Sequence, residues 1–258
     1  MHVGDIFTDR AGLPDLPDLP DRRLLDTSLV HRREGGHRLP ALVWDAGPGW
    51  RMLSSGVLGG GLGSRSYVVN AQVPGGYRRT DPRDHLAEIA RAAGLRGHGV
   101  GLMTAADVTN AAFAADGGVE AVATVGIGRP TWAAAPSDLD EARLGHARAA
   151  GGTESIRPGT INIIVAVPVP LSDAALVNAL STATEAKVQA VMEAGFACTG
   201  TASDAICLAV RSETGTEPPA SFGGPRSRWG ARIARAVHAA VRTGALRDAR
   251  RTTTARGL

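Results

Sequence analysis

The chain has 258 residues, of which 43% are hydrophobic and 21% are charged, a balance that supports a folded core and excludes an intrinsically disordered chain. The net charge is only +3, and aromatic residues make up 4% of the sequence. Because the basic residues are scattered and few rings could stack on bases, the composition argues against nucleic-acid binding.

Domain boundaries follow from composition. Residues 13–21 repeat the triplet Leu-Pro-Asp, and proline at every third position blocks a helix. We therefore expect a poorly ordered Pro/Asp-rich arm over 1–40, a single α/β domain over 41–245 and a frayed basic tail over 246–258. No linker is predicted within the central segment.

Hydrophobic patterns predict alternating strands and helices within the domain. The strands are predicted at Ala41–Trp44, Ser66–Asn70, Gly99–Met103, Val119–Thr124, Ile161–Val167 and Ala205–Val210. The helices are predicted at Asp84–Ala93, Ala105–Ala115, Asp173–Ala194 and Ala231–Val241. The run from Ile161 to Val167 is apolar at almost every position, so we expect a central strand covered on both faces.

Cysteines and histidines do not indicate a metal or redox site. Cys198 and Cys207 are too few for a disulfide framework and lack CxxC spacing, so we expect two buried free thiols. The seven histidines show no HxxH or HxxxH spacing, so no metal site is expected. The sequence also lacks a signal-peptide core and an apolar stretch of the ~18 residues that a membrane span needs. We expect a soluble, cytoplasmic protein without a membrane partner.

The predicted helix from Asp173 carries an unusual lysine. Ser172 is a good N-cap residue, and apolar positions share one face of the helix. Lys187 falls on that apolar face and is the only lysine beside 27 arginines among the 28 basic residues. One interpretation is a lysine that extends its ammonium from the edge of the apolar stripe to water. The other is a buried ammonium that stabilises an anion or activates a nucleophile.

A glycine-rich segment, residues 54–62, is a candidate ligand-binding loop. It lacks the Gly-Lys-Ser/Thr ending of a P-loop, and a β-like run follows it where a dinucleotide fingerprint would open a helix. The remaining interpretations are a loop that offers amides and serine hydroxyls to a ligand, and a tight structural turn.

Three further segments carry hydroxyls, a carboxylate or free amides at strand ends. Gly159-Thr160 precedes the core strand, where a hydroxyl would be held rigidly as covalent catalysis requires. Residues 200–204 offer two hydroxyls and the Asp204 carboxylate before the last strand, a composition that is also typical of turns. Backbone amides over 124–128 could form an oxyanion hole. No Ser-His-Asp triad is evident.

Taken together, these motifs resemble the adenosylcobinamide amidohydrolase family over roughly residues 41–242. The resemblance rests on seven segments that occur in the family's order. Within one of them, Ser203 stands where the family pattern has threonine. They are Met52–Leu62, Asn70 with Val73–Tyr77, Val100–Ala106, Pro158–Ile164, Thr184–Lys187, Gly200–Ala205 and Phe222–Pro225.

The resemblance implies an enzyme that hydrolyses the aminopropanol amide of adenosylcobinamide to adenosylcobyric acid and 1-amino-2-propanol in corrinoid salvage. The corrinoid with its cobalt would be substrate, with no further cofactor, and the oligomeric state is left open, a homo-oligomer included. The catalytic candidates are Thr160, Lys187, Asp204, Asn162 and Glu185. The candidates for substrate binding are Ser54, Ser55, Gly59, Gly60, Gly61, Asn70, Thr104, Thr124, Gly126 and Thr201.

A second resemblance concerns the fold and the nucleophile. The order Gly-Thr, core strand, Pro-Leu-Ser helix and Gly-Thr-x-x-Asp is similar to the self-processing aminopeptidase and ornithine acetyltransferase fold. It implies two sheets layered between helices (αββα), with Thr160 as nucleophile. We further expect Lys187 or a freed Thr160 amine to take the proton and Asp204 to orient that group. Two other functions stay open: a peptidase or acyltransferase that works through Thr160, and a corrinoid-binding protein without catalysis.

Overall fold

The structure, a computed structural model, describes residues 23–135, 159–213 and 218–255. The Leu-Pro-Asp repeat of the expected N-terminal arm and the last three residues of the expected tail lie outside these ranges. Ten strands and three α-helices are described, with a short 3₁₀ turn at Val108–Asn110. The strands are β1 (Thr27–Glu34), β2 (His37–Asp45), β3 (Trp50–Ser54), β4 (Gly61–Ser64), β5 (Tyr67–Gln72), β6 (Gly99–Thr104), β7 (Ala112–Asp116), β8 (Val119–Gly126), β9 (Thr160–Val167) and β10 (Ala205–Arg211). The helices are α1 (Pro82–Ala92), α2 (Asp173–Glu193) and α3 (Arg228–Ala255).

The strands form two sheets. One has four strands in the order β1-β2-β5-β6, and the other has six in the order β4-β3-β10-β9-β8-β7. The pairs β5–β6 and β9–β10 are parallel, and the other neighbours are antiparallel. As a result β9 and β10 begin at the sheet edge where β3 and β8 end.

Four layers stack through three apolar cores, in the order helix, sheet, sheet, helix. The core between the six-stranded sheet and helices α2 and α3 contains Ile161, Ile163 and Val165. Alternate residues of the same strand, including Ile164, enter the core between the two sheets. Helix α1 covers the outer face of the four-stranded sheet. The expected αββα layering is confirmed, and β9 is buried on both faces as its apolar run predicts.

Two predicted boundaries are wrong. The expected arm over 1–40 includes β1 and the start of β2, which pair as antiparallel strands from Thr27 to Trp44. The expected tail begins inside α3, which continues to Ala255. Strand β1 is the edge strand of its sheet and has only two apolar residues, Leu29 and Val30, so its sequence lacks the apolar run that marks an internal strand.

The helix predicted over Ala105–Ala115 is also wrong. This segment contains the 3₁₀ turn and strand β7, which forms a hairpin with β8. Gly117 and Gly118 connect these two strands with φ values of +52° and +90°. Both values suit the tight two-residue turn that reverses a hairpin, so the Gly-Gly pair decides the structure over the helix-like spacing of the alanines.

Within the described residues, no helix is both long and apolar enough to cross a membrane.

Candidate active site

The Thr160 hydroxyl lies at the first residue of β9 and is almost completely buried. Its Oγ1 donates to the carbonyl oxygen of Gly159 at 2.9 Å and lies 2.8 Å from the Oγ of Ser203. The Ser203 hydroxyl lies 3.4 Å from the same carbonyl oxygen. Thr160 therefore contacts a second hydroxyl and the carbonyl of the peptide bond that precedes it.

Asp204 connects the start of β9 to the start of β10 and to helix α2. Its Oδ1 accepts from the amide of Ile161 at 2.9 Å and from the Thr201 hydroxyl at 2.6 Å. Its Oδ2 accepts from the Lys187 ammonium at 2.7 Å and from the Thr201 amide at 3.1 Å. Four donors thus hold one carboxylate against the residue that follows Thr160.

Lys187 is buried, with only 8% of the residue exposed, so the structure favours the second of its two interpretations, a buried ammonium. Its ammonium forms an ion pair with Asp204, and the structure shows no hydrogen bond from it to Thr160. Gly200 leaves room for this ion pair because it has no side chain. A Cβ at this position would lie 2.1 Å from the Asp204 carboxylate and 2.6 Å from the Lys187 ammonium. Within the described contacts Lys187 therefore acts on Asp204, and its expected role as base stays a prediction.

A chain of buried amides continues from Thr160 into the space between the sheets. The Asn162 Nδ2 donates to Asn70 Oδ1 at 2.8 Å and to the carbonyl of Met103 at 3.0 Å, and the Asn70 Nδ2 donates to Thr124 Oγ1 at 2.9 Å. These contacts orient both side-chain amides, because each nitrogen faces an acceptor. The Oδ1 of Asn162 is buried and has no hydrogen-bond partner.

That unpaired oxygen is chemically significant. A buried acceptor without a partner costs about 1–3 kcal/mol, and Asn162 is only 1% exposed. Asn162 lies two residues after Thr160 on the same strand, so the two side chains share a face and lie roughly 7 Å apart. An acceptor without a described partner therefore lies on the same face of β9 as the threonine.

The segment that was expected to provide oxyanion donors is partly occupied. Gly126 is paired with Thr160 across β8 and β9, and the amide of Ile127 donates to the Asp248 carboxylate at 2.9 Å. A Cβ on Gly159 would lie 2.7 Å from the Gly128 nitrogen, so the Gly128 amide lies directly beside Gly159. Among the backbone amides expected to form an oxyanion hole, that of Gly128 therefore lies beside the residue that precedes Thr160.

The glycine-rich loop mainly provides close backbone packing. The Ser54 hydroxyl accepts from the Gly56 amide within the loop, and the Ser55 hydroxyl accepts from the Ile206 amide at the start of β10. A Cβ on Gly59 would lie 2.0 Å from the Gly99 carbonyl oxygen, and one on Gly60 would lie 2.5 Å from the Gly56 oxygen. Ser55 thus lies at the edge where β10 begins, whereas Gly59 and Gly60 are required by the loop itself.

Of the remaining substrate-binding candidates, Thr104 and Gly126 have close structural neighbours, whereas Gly61 faces open space. The Thr104 hydroxyl accepts from the Ala106 amide at 2.9 Å, and a Cβ on Gly126 would lie 2.9 Å from the Ala106 Cβ. Gly61 has φ of +80° and no atom within 4 Å of its Cβ position.

Neither thiol is a nucleophile candidate, because both cysteines are buried, as expected, and burial raises the pKa of Cys207 to about 12.

Comparison with known proteins identifies the family. The sequence model described as adenosylcobinamide amidohydrolase matches residues 24–253. The chain belongs to this family. A relative of that name from Methanosarcina mazei is 30% identical over 195 residues, which cover 72% of this chain and 86% of the relative. Another from Halobacterium salinarum is 34% identical over 201 residues, covering 76% and 80%. The family resemblance is thereby confirmed, and with it the expected class of amide-hydrolysing enzyme.

Not every residue expected to act in this adenosylcobinamide amidohydrolase family member lies near Thr160. Glu185 is exposed on α2 and lines a small cavity of about 260 Å³ with His238 of α3. Lys187, two residues later, faces the sheet instead. Because successive helix residues are about 100° apart, the pair cannot serve one site, and Glu185 is separate from the candidate active site.

Two contacts of the family member's site were missed in the sequence. Ser203 was counted among the hydroxyls of residues 200–204 and noted as a departure from the family pattern but was not chosen as a site residue, yet its side chain contacts the Thr160 hydroxyl. Asp248, which binds the Ile127 amide, lies in the segment expected to be a frayed tail. The polar composition of residues 200–204 could have indicated Ser203 as a site residue. Asp248 could have been found only if the last helix had been predicted to extend beyond Val241.

Proposed function

We propose that this chain hydrolyses the amide that joins the corrin propionyl side chain to aminopropanol in adenosylcobinamide. The products are adenosylcobyric acid and 1-amino-2-propanol, and the step serves corrinoid salvage. The family match over residues 24–253 supports the substrate, and the buried Thr160 hydroxyl at the start of β9 supports the chemistry. The cobalt belongs to the substrate, and no resident cofactor is proposed.

Thr160 is the proposed nucleophile. Its Oγ1 adds to the amide carbonyl carbon while its proton passes to a base, and the tetrahedral intermediate then expels the amine as the carbon–nitrogen bond breaks and the base returns the proton. Water hydrolyses the resulting ester, which releases the corrinoid carboxylate and restores the hydroxyl. The rigid strand start that holds Thr160 supports this role because a nucleophile must be kept within reach of the carbonyl.

The proposed base is the α-amine of Thr160, freed by cleavage of the Gly159–Thr160 peptide bond. In that step Oγ1 adds to the Gly159 carbonyl carbon, the carbon–nitrogen bond breaks, and the amine takes up the proton. Water then hydrolyses the ester to a Gly159 carboxylate. The hydrogen bond from Oγ1 to the Gly159 carbonyl at 2.9 Å supports this proposal, as does the pairing of Lys187 with Asp204.

Other residues of the site have supporting roles in this proposal. The Gly128 amide donates to the developing oxyanion, a contribution of roughly 3 kcal/mol for one such donor. The unpaired Oδ1 of Asn162 accepts a hydrogen bond from the aminopropanol part of the substrate. Asp204 and Lys187 position Thr160 through the Ile161 amide and do not contact the substrate.

Product analysis tests the nucleophile. The parent protein is incubated with adenosylcobinamide, and mass spectrometry measures adenosylcobyric acid and aminopropanol. Thr160→Ala is expected to lose nearly all turnover and keep corrinoid affinity, whereas Thr160→Ser keeps part of the activity. Thr80→Ala, at an exposed threonine, is the matched control and should match the parent. A folded Thr160→Ala protein with parent activity would refute the role of Thr160, and corrinoid binding without products would indicate a non-catalytic binder.

Intact-protein mass spectrometry tests the base separately. The parent is expected to yield two fragments that meet between Gly159 and Thr160, and Thr160→Ala is expected to stay one chain. An active parent protein of unbroken mass would refute the freed amine as base, while the activity of the Thr160 variants would still decide the nucleophile.

A further inference from the structure

A cavity of about 550 Å³ lies where β5 and β6 begin, between helix α1 and the glycine-rich loop. Its lining includes four arginines, Arg65, Arg83, Arg91 and Arg96. Cavities of a few hundred to a thousand Å³ are typical of small-molecule sites. Its position and its charge both distinguish this cavity from the candidate active site.

The cavity is separated from Thr160 by the length of the four-stranded sheet. Gly99 lines the cavity at the start of β6, whereas the Met103 carbonyl contacts Asn162 near its end. At about 3.3 Å per residue, these two positions lie roughly 13 Å apart along the strand. The cavity therefore lies toward the end of β6 that is remote from Asn162 and Thr160 and is distinct from the candidate active site.

Positive charge dominates the lining. Arg83 and Arg91 lie on one face of α1, eight residues apart with Ala87 between them, and Arg96 lies on the connection to β6. None of these three guanidinium groups has an ion pair or side-chain hydrogen bond within the described residues, and no carboxylate is among the lining residues. By contrast, Arg79 nearby is engaged by both Asp81 and Glu88.

A fourth guanidinium is held in place by the backbone. Arg65 is half-buried, and its Nε donates to the Gly59 carbonyl at 3.3 Å while its Nη1 donates to the Ser64 carbonyl at 3.0 Å. These bonds fix the plane of the group and leave Nη2 without a described partner. A guanidinium that is oriented before the ligand arrives loses less entropy on binding.

Small residues keep the wall of the cavity open. A Cβ on Gly99 would lie 2.1 Å from the Tyr67 ring, and Gly97 has φ of +84°. Tyr67 and Leu95 are buried and contribute apolar surface to the lining of the cavity. The site thus combines an apolar wall with four guanidinium groups, whose planar forks match phosphate oxygens.

We propose that this cavity binds a small oligophosphate, either inorganic diphosphate or the phosphate chain of a nucleotide. Clustered guanidinium groups without carboxylate partners repel one another, and a polyanion relieves that repulsion through paired hydrogen bonds. Neither adenosylcobinamide nor the two proposed products supplies a phosphate group, so this site goes beyond the proposed function and does not depend on it.

Isothermal titration calorimetry with sodium diphosphate and with ATP tests the proposal on the full-length protein. The double variant Arg83→Gln, Arg91→Gln keeps two helix-forming residues at exposed positions. It is expected to bind diphosphate roughly tenfold more weakly or worse, since two charge-assisted contacts are lost. The control, Arg226→Gln with Arg242→Gln, removes the same charge from exposed positions outside the lining and is expected to keep the parent affinity.

The two ligands distinguish the source of the phosphate. Equal affinity for diphosphate and ATP shows that the phosphates alone are held, and tighter binding of ATP shows that the apolar wall holds the nucleoside as well; both support the site. If the parent binds neither ligand at millimolar concentration, or if both double variants lose affinity equally, the proposal is overturned. Amide hydrolysis by the parent is measured separately, so failure here does not affect the proposed function.

Discussion

The ion pair between Lys187 and Asp204 allows a quantitative test of how the site is held together. The two charged atoms are 2.7 Å apart, and each side chain is only 10% exposed. The carboxylate also accepts from the Ile161 amide and from both donors of Thr201. Asp204→Asn keeps the shape of the side chain and removes its charge, whereas Lys187→Met keeps the aliphatic stem and removes the ammonium.

The two substitutions are expected to have unequal effects. Asp204→Asn leaves a buried ammonium with no counter-charge, which costs about 3–5 kcal/mol of unfolding free energy. Lys187→Met leaves a carboxylate that keeps three donors, so the loss approaches that of one charge-assisted hydrogen bond, about 1.5–3 kcal/mol. In the double variant the uncompensated ammonium is absent, and its destabilisation is expected to fall well below the sum of the two single effects.

Urea unfolding followed by circular dichroism measures these free energies for the parent and the three variants. As a control, Asp116→Asn removes the ion pair with Arg235, whose side chain is 60% exposed, and is expected to cost at most about 1 kcal/mol. Equal losses in the two single variants, or single effects that add to within about 0.5 kcal/mol, would show that the buried pair does not act as described.

Three further outcomes follow from packing and burial. Gly59→Ala should lower the unfolding free energy by more than about 1 kcal/mol, because the added Cβ would clash with the Gly99 backbone. Gly61→Ala, also at positive φ but in open space, should cost less. Thermal unfolding compares the two variants, and an equal loss of stability would contradict the clash. The Cys207 thiol, whose pKa burial raises to about 12, should not react with a thiol reagent at pH 8 until urea unfolds the chain, so rapid labelling of the folded protein would contradict its burial. Glu185→Gln should keep parent turnover of adenosylcobinamide, since this residue lies on the helix face away from Lys187, and a large loss of turnover would return Glu185 to the active site.

The structure also changes how the glycine-rich loop should be tested. If this loop binds the corrinoid, Gly60→Val would be the direct way to crowd the bound ligand. Because a Cβ at Gly60 would lie 2.5 Å from the Gly56 oxygen, such a variant disturbs the loop whether or not a ligand binds there. Ser55, which is exposed and bonded to β10, is the better position, and Ser55→Ala probes substrate contact with less damage to the backbone.

Local patterns in the sequence predicted the elements whose burial has a clear period. The apolar run over Ile161–Val167 predicted a strand buried on both faces, and the stripe on α2 placed Lys187 on the apolar face of that helix. These predictions succeed because the face that a residue presents depends on its own element. The edge strand β1 and the short hairpin strand β7 were not predicted, since an edge strand has little apolar pattern and the alanines of β7 favour a helix.

Membership of the adenosylcobinamide amidohydrolase family, the central strand and the position of Thr160 at its start were all determined by the sequence alone. Only the tertiary structure decided which side chains meet: Asp204 with Lys187, Ser203 with Thr160, and Asn162 with Asn70 of the other sheet. It also gathered four arginines, scattered between positions 65 and 96, around one cavity. The physical reason is that periodicity reports burial within one segment, whereas contacts between distant segments depend on strand order and on the stacking of layers.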